Sequence, residues 1–316
     1  MEPRVTVIVP VYETVQWLDE ALDSVAAQSF DDWEVLIVDD GSTSAPARRA
    51  LASLVRTKMR VLSVQHGGVC RARNRAISEA RGRHLCFFDA DDRMRPRFLE
   101  RTCARLDADP ALAFVSPWVH LFGDEEWDWK PERCDLPALL GDCSVATAAV
   151  VRKERVIEVG GFDEAMELGH EDWDLWLSIV ARGHRGEILP ELLFDYRRRA
   201  ASRSGVADRG ATHLELFRQR IRKHQASYRA HLFELLWEKE VAVGHLVYDT
   251  VDSTARLAAG ELAAVARRAA LRQELDQTHA ALLDAHRQLD ELHASRSWLV
   301  TAPLRHLYEL VYRRRP

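Results

Sequence analysis

The sequence contains no C-x-x-C spacing, and its five cysteines (Cys70, Cys86, Cys103, Cys134 and Cys143) are odd in number and scattered. That pattern argues against a disulfide framework and a zinc site, and leaves reduced, mostly buried thiols as the expectation. No apolar run approaches the roughly 18 residues of a helical membrane span. The opening Met1-Glu2-Pro3-Arg4 leads straight into Val5-Thr6-Val7-Ile8-Val9, too short and too β-branched for a signal-peptide core, so a cytoplasmic protein is expected. A basic surplus is missing from the main body as well. The formal net charge is −5, and ten arginines against seven acids from Ser253 onward leave −8 on the first 252 residues. Such a body gives no reason to expect nucleic-acid binding. Proline is absent between Pro190 and Pro303, where the composition turns to Ala, Leu, Glu and Arg and is helical in character.

At 316 residues, with 47% apolar and 29% charged residues, the chain suits one large domain with an appendage, or two domains. Short β-branched or aromatic runs alternate with helical spacings. Arg4 to Val9 reads as a first strand. Trp17, Leu18, Ala21, Leu22 and Val25 then share one helical face, with Thr14 as the expected N-cap. Trp33 to Val38 reads as a second strand, ending in Asp39-Asp40-Gly41-Ser42-Thr43, and Ser44 with Pro46 suits a helix start. Val61 to Val64 is a third strand, followed by a helix from about Val69 to Ala80 with Gly82 as its expected left-handed cap. Leu85-Cys86-Phe87-Phe88 is a fourth and runs directly into Asp89-Ala90-Asp91-Asp92. Ala113 to Leu121 and Ser144 to Val151 read as further strands; Trp173, Trp176, Leu177 and Val180 form a helix face ending at Gly183. This alternation implies βαβ units and a mostly parallel sheet, whose ligands gather at the strands' carboxyl ends.

Asp39, Asp40, Asp89, Asp91 and Asp92 all fall at such ends. Any one of them is an ordinary Asx turn. Together they point to a cleft that holds a divalent cation and a phosphate. Glu171 and Asp172 open the Trp173 helix, where a carboxylate is either a favourable terminal charge or a positioned general base. Trp127 and Trp129, in an irregular stretch from Gly123 to Pro137, either stack on sugars or anchor their loop.

Seven pieces occur in one order: Val-Ile-Val-Pro-Val-Tyr at 7–12, Val-Asp-Asp-Gly-Ser at 38–42, Arg-Ala-Arg-Asn at 71–74, Phe-Asp-Ala-Asp-Asp at 88–92, Val-Gly-Gly-Phe-Asp at 159–163, Glu-Asp-Trp-Asp-Leu-Trp at 171–176 and Tyr-Arg at 196–197. With them, the stretch from about Arg4 to Ser204 resembles the family 2 glycosyltransferases of GT-A fold, of the bacterial surface-polysaccharide type. The resemblance implies an α/β GT-A catalytic domain over 1–207. It further implies a nucleotide-sugar donor and inverting transfer to a hydroxyl of a glycan or lipid-linked acceptor. By position it places Pro10, Tyr12 and Glu13 (where Asn is commoner) in the nucleotide pocket. It sets Asp39 on the base, Arg71 and Asn74 near the nucleotide, and Asp89 and Ala90 on the donor side. Asp89 and Asp91 form the D-x-D, with Asp91 as direct ligand of Mn²⁺ or Mg²⁺. Asp172 is implied as catalytic base, with Glu171 as runner-up.

One departure stands out. Two residues after Arg197 the family often has a metal-assisting His, followed three residues later by Ser; this chain has Arg199, then Ser202. Arginine cannot deprotonate to bind a cation, and is expected instead to contact the diphosphate by bidentate hydrogen bonds. The rival reading is a flexible basic loop, since Arg197, Arg198, Arg199 and Arg203 cluster beside Ala and Ser; a lid that orders on donor binding would reconcile the two. Two other functions compete: a nucleotidyltransferase, which gives no reason for Glu171-Asp172 at a helix start, and a catalytically silent sugar-nucleotide-binding scaffold acting through its C-terminal helices.

Residues 208–316 differ in kind. Leu214, Phe217 and Ile221 begin one amphipathic helix, and Leu232, Leu235, Leu236 and Val243 suggest another. Leu271, Leu275, Thr278, Leu282, Ala285, Leu289 and Leu292 alternate four-and-three spacing over about 268–293. That suits either a coiled coil joining two copies or a helix packed on the body. The element Ser295-Arg296-Ser297-Trp298-Leu299-Val300-Thr301-Ala302-Pro303-Leu304-Arg305 resembles one that recurs in bacterial glycosyltransferases of surface-polysaccharide assembly. The basic, amphipathic stretch at about 297–315 suits either a helix lying on the inner face of the plasma membrane, making the protein peripheral there, or a docked terminal helix.

Overall fold

The computed structural model describes residues 2–166, 168–199 and 210–294. The first half alternates as expected: β1 (Val5–Val11), α1 (Leu18–Ala26), β2 (Trp33–Asp39), α2 (Ala45–Ser53), β3 (Met59–Ser63), α3 (Val69–Glu79) and β4 (His84–Phe87). β1, β2 and β4 are rich in apolar residues and almost wholly buried because helices cover both sheet faces. There follow β5 (Arg93–Met94), α4 (Phe98–Ala108), β6 (Leu112–Gly123), β7 (Trp127–Trp129), α5 (Leu136–Gly141), β8 (Val150–Arg152), α6 (Lys153–Val159), α7 (Glu171–Ala181) and β9 (Arg185–Arg198). The sheet order is β3-β2-β1-β4-β8-β6-β9-β5, with β7 added beside β6. β1 pairs in parallel with both β2 and β4, whereas β8 is antiparallel to β4 and β6, so the sheet is mixed.

One side of the sheet packs Leu18, Leu22 and Val25 of α1 and Phe98, Leu99 and Leu106 of α4. The other packs Ala72 and Ala76 of α3 and Trp173, Trp176 and Leu177 of α7. Fully burying side chains of this size contributes about 1.5–3 kcal/mol each before the entropy of ordering is set against it. The consequence for function is positional: β1, β2 and β4 end side by side, and α7 begins next to them.

Several local expectations are corrected. Thr14 does not cap α1; the N-cap is Trp17, without a side-chain hydrogen bond. Gly82 does not close α3 in a left-handed turn, since Ala80 caps that helix in an extended conformation. Glycine is required at 82 for another reason, because a Cβ there would lie 2.4 Å from the Thr6 amide nitrogen. The run Ser144 to Val151 forms a strand only from Val150 onward. Before it the chain turns, with Ala149 N donating to Ala146 O at 3.0 Å and Ala146 N to the Ser116 hydroxyl at 3.0 Å.

The C-terminal part holds α8 (Gly210–Lys223), α9 (Gln225–Ala230) and α10 (Leu232–Ala294). The first compact unit extends to Trp237. Its reach follows from packing: Leu216, Arg220, His224 and Tyr228 of α8, α9 and the residue between them are buried. The second unit begins at Glu238 and, within the described residues, continues α10. There Leu262, Val265, Leu271, Leu275 and Leu282 are exposed. No helix of the described residues is long and apolar enough to cross a membrane. The element at 295–305, the terminal stretch at 297–315 and the loop residues Ser202 and Arg203 lie outside the described residues.

Candidate active site

The carboxyl ends of β1 and β4, the start of α7 and the end of β9 enclose a cavity of about 590 Å³. Pro10, Tyr12, Asp89, Ala90, Asp91, Glu171, Asp172 and Arg199 all line it. The parallel order of β2, β1 and β4 brings residues far apart in sequence to one edge. Arg73, on α3, is the hinge of the arrangement. Only 1% exposed, it donates to Asp89 Oδ1 at 2.8 Å and to Glu171 Oε1 at 2.9 Å, joining the end of β4 to the start of α7. Burial works against its charge, and the carboxylates of Asp89, Glu171 and Asp172 more than offset that, so its pKa rises. Removing either partner from a buried pair of this kind strands a charge without water.

The two acids that Arg73 does not hold face the cavity with other partners. Asp91 Oδ2 accepts from the Arg199 guanidinium. Burial, then the nearby Asp89 charge, raises the Asp91 pKa against the opposing pull of Arg199. Asp172 accepts from the Thr147 hydroxyl through Oδ2, and from the Trp173 amide through Oδ1 at 2.8 Å. Its partners are neutral donors, which orient a carboxylate without quenching its charge. His170 enters α7 at φ 60°, a left-handed N-cap, so Glu171 and Asp172 occupy the first helical turn where the helix dipole favours anions.

Asp92 turns away from the cavity. It is buried, accepts from the Arg197 amide at 2.8 Å, and its pKa is pushed well up by burial and then by Asp89 and Asp91. It fastens the β4 end to β9. Asp40 is likewise buried, accepting from the Gly67 and Gly68 amides at 2.9 Å each and facing His66 Nδ1 at 2.9 Å. His66 in turn stacks on Tyr12, with ring centroids 4.1 Å apart, which leaves the half-exposed Tyr12 ring braced at the cavity wall.

Four expected donor residues stand off the cavity wall, each for a local reason. Glu13 caps the start of α2: it accepts from the Thr43 amide at 2.7 Å and the Ser44 amide at 3.0 Å, and hydrogen bonds at Ser44, then Thr43, lower its pKa to about 2. Asp39 Oδ1 accepts from the Ser42 amide at 2.9 Å and closes the turn after β2. Asn74 clamps the Phe162 peptide, donating to its O at 2.9 Å and accepting from its N at 2.8 Å. A Cβ at Gly161, whose φ is +78°, would lie 2.5 Å from Asn74 Oδ1. Arg71 is largely exposed and reaches Glu164 at 3.4 Å.

The cavity also contains residues that sequence reasoning passed over. Thr147 lay inside a run read as strand. Trp17 was read only as helix face, yet the Arg197 and Arg199 guanidinium carbons lie 5.2 and 4.6 Å from its ring centre. His213 reaches the wall from α8, beside His170 at 5.7 Å between ring centres. Beneath them Arg220, fully buried, stacks 3.3 Å from the Trp173 ring centre and contacts His170 Nδ1 at 3.1 Å. The only sequence signal for these was a run of basic residues on an amphipathic helix, which reads equally well as a solvated face.

For a cation, the available donors are the Asp89 and Asp91 carboxylates; no cluster of three or more His, Cys, Asp or Glu side chains suited to a metal occurs among the described residues. Two carboxylates with room for waters and phosphate oxygens match the habit of Mg²⁺ and Mn²⁺ rather than a closed all-protein cage.

Residues 6–158 match the model of glycosyl transferase family 2. An uncharacterized glycosyltransferase of Methanocaldococcus jannaschii is 24% identical over 208 residues, covering 62% of this chain and 71% of its own length. The O-antigen biosynthesis protein RfbC of Myxococcus xanthus is 31% identical over 228 residues, covering 66% of this chain but only 17% of itself. The chain spans 32% or less of the curated relatives next in similarity to the first. Among solved structures, S. aureus TarS (residues 1–349) in complex with UDP-GlcNAc superposes with a TM-score of 0.58 at 19% identity, covering 71% of this chain and 66% of that one. That likeness establishes the fold.

Proposed function

We propose that this chain, whose residues 6–158 match glycosyl transferase family 2, transfers a sugar from a nucleotide-diphosphate donor to a hydroxyl of a surface-glycan acceptor, with inversion at the anomeric carbon. The observation that carries the reading is the division of four carboxylates in one cavity: Asp89 and Glu171 are tied to Arg73, while Asp91 and Asp172 are presented to the cavity at different places.

In this reading the braced Tyr12 ring offers a face to the donor's base, and the backbone at Pro10 lies beside it. Asp89 and Asp91 would hold Mn²⁺ or Mg²⁺, and the fit is supported by the two oxygen-donor carboxylates, separated by one residue, that both line the cavity. When bound, such an ion neutralises charge developing on the departing diphosphate. Asp172, oriented by Thr147 and the Trp173 amide, takes the proton of the acceptor hydroxyl as that oxygen forms its bond to the anomeric carbon and the bond to the diphosphate oxygen breaks. Attack from the face opposite the leaving group inverts the configuration. Glu171, held by the buried Arg73, keeps the start of α7 in place and serves as a positioning residue.

The acceptor class is supported by the O-antigen relative's name, and UDP-sugars are the first donors to test because the TarS complex contains one. A thermal-shift screen of nucleoside diphosphates with and without Mn²⁺ gives the donor base, since ligands of the folded state raise its apparent stability. Transfer or donor hydrolysis by the purified chain, with the product anomer assigned by NMR, then tests the chemistry. No binding of any nucleoside diphosphate or nucleotide sugar would sink the reading.

A further inference from the structure

Asp91 already has a cationic partner. Arg199, the residue after β9 ends, places its guanidinium on Asp91 Oδ2 and over the Trp17 ring, with 4.6 Å from Cζ to the ring centre. Arg197 lies two residues earlier and approaches the same aspartate, but in a different way. Its Nε donates to the Asp91 backbone oxygen at 2.7 Å, its Nη2 to Glu20 at 2.7 Å, and its own amide to Asp92 at 2.8 Å. Arg197 is therefore fastened to backbone and to a second acid, whereas Arg199 is held by one carboxylate oxygen and one aromatic face. The Arg199 Nε has no hydrogen-bond partner among the described residues.

A guanidinium and a divalent ion compete for the same carboxylate oxygen, and two cations on it repel each other. Guanidinium also matches phosphate oxygens bidentately, so a diphosphate arriving in the cavity offers Arg199 a better partner than a single carboxylate oxygen. We propose that Arg199 is a latch on the D-x-D: it neutralises Asp91 in the donor-free protein, weakens binding of a divalent cation by itself, and moves to the diphosphate when a donor enters. The inference rests on the donor reading above for the identity of the diphosphate, but not for the competition at Asp91. Its consequence is mutual dependence, in which cation and nucleoside diphosphate each bind well only with the other.

The test separates the two halves in the full chain. Mn²⁺ alone is titrated against wild type, Arg199→Gln, Arg199→Lys and Arg199→Gln/Asp91→Asn, with free Mn²⁺ followed by its EPR signal. UDP is then titrated at saturating Mn²⁺. Arg199→Gln should bind Mn²⁺ alone about tenfold more tightly, the effect of about 1.4 kcal/mol of relieved repulsion. The double variant should lose that gain, and Arg199→Lys should stay as weak as wild type because it keeps the charge. Arg199→Gln should at the same time bind UDP about tenfold more weakly, since the diphosphate has lost its arginine. Opposite signs in one variant separate a latch from mere loss of structure, which would weaken both. Unchanged or weaker Mn²⁺ binding by Arg199→Gln, or equal tightening in Arg199→Lys, overturns the latch; tighter Mn²⁺ binding with unchanged UDP affinity overturns the transfer of Arg199 to the diphosphate. Failure of wild type to bind UDP or any other nucleoside diphosphate counts against the donor reading instead, and the Mn²⁺ titrations still decide the competition at Asp91.

Discussion

Two pairs of acids border the cavity, Asp89 and Asp91 at the end of β4 and Glu171 and Asp172 at the start of α7, and they are built on one plan with one difference. In each pair one member is tied to the buried Arg73, at 2.8 Å for Asp89 and 2.9 Å for Glu171. In each the other member borders the cavity with a single side-chain partner. For Asp91 that partner is a guanidinium, and for Asp172 it is a hydroxyl. A carboxylate matched with a cation sits where positive charge is wanted. A carboxylate matched with a neutral donor keeps its charge available for a proton. In the proposed transfer, the contrast between charged and neutral partner, more than the acids themselves, is what distinguishes a leaving-group end of the cavity from an acceptor end.

The largest effect is expected where both pairs break together. Arg73→Met leaves the buried Glu171 and the partly exposed Asp89 without their cation, and should lower the unfolding free energy by about 3 kcal/mol, measured by urea denaturation. Arg73→Lys keeps a charge but reaches only one acid, so it should fall between. If Arg73→Met is as stable as wild type, the shared support of the two pairs is wrong. Next, Asp172→Asn should reduce transfer by about 10²–10⁴ while leaving UDP and Mn²⁺ affinity near wild type, whereas Asp91→Asn should weaken Mn²⁺-dependent UDP binding. Equal loss of UDP binding in both variants would erase the distinction between the two ends. Thr147→Val removes one neutral hydrogen bond from Asp172, worth about 1 kcal/mol; a loss in kcat of severalfold at unchanged KM for donor is the expected reading.

The strand ends were legible because β2 and β4 are largely apolar runs that stop in acids, and parallel pairing on either side of β1 then leaves those acids at one edge. The first turn of α7 was legible for a similar reason: Trp173, Trp176 and Leu177 fix the helix phase, which fixes where Glu171 and Asp172 begin. What the chain did not display is which partner each side chain chooses. Asn74, Glu13 and Asp39 carry the functional group types a nucleotide site uses, yet they close a turn, cap a helix and seal a loop through backbone amides. Arg220 and His213 come from α8, beyond the expected domain boundary at 207, because a basic amphipathic helix has the same pattern whether its arginine is solvated or stacked under Trp173. Side-chain pairing across long sequence separations has no period to read.

Glu13 sharpens the comparison at its small end, since it is a carboxylate with neutral partners like Asp172 but with every partner spent on structure. Its oxygens accept from the Thr43 amide and hydroxyl and from the Ser44 amide, ahead of α2. These bonds favour the charged form and hold its pKa at about 2, below the ordinary 4.5. A carboxyl depressed in the folded state contributes stability that is fully present above its unfolded value and lost as pH falls. The contribution of Glu13 is therefore complete above pH 4.5 and fades towards pH 2. Glu13→Gln should be less stable than wild type at neutral pH by an amount that shrinks as the two urea midpoints are followed down that window. A difference that stays constant with pH would show that the loop is held by shape alone, and the contrast between a structural and a cavity-facing carboxylate would then have to rest on exposure rather than on partners.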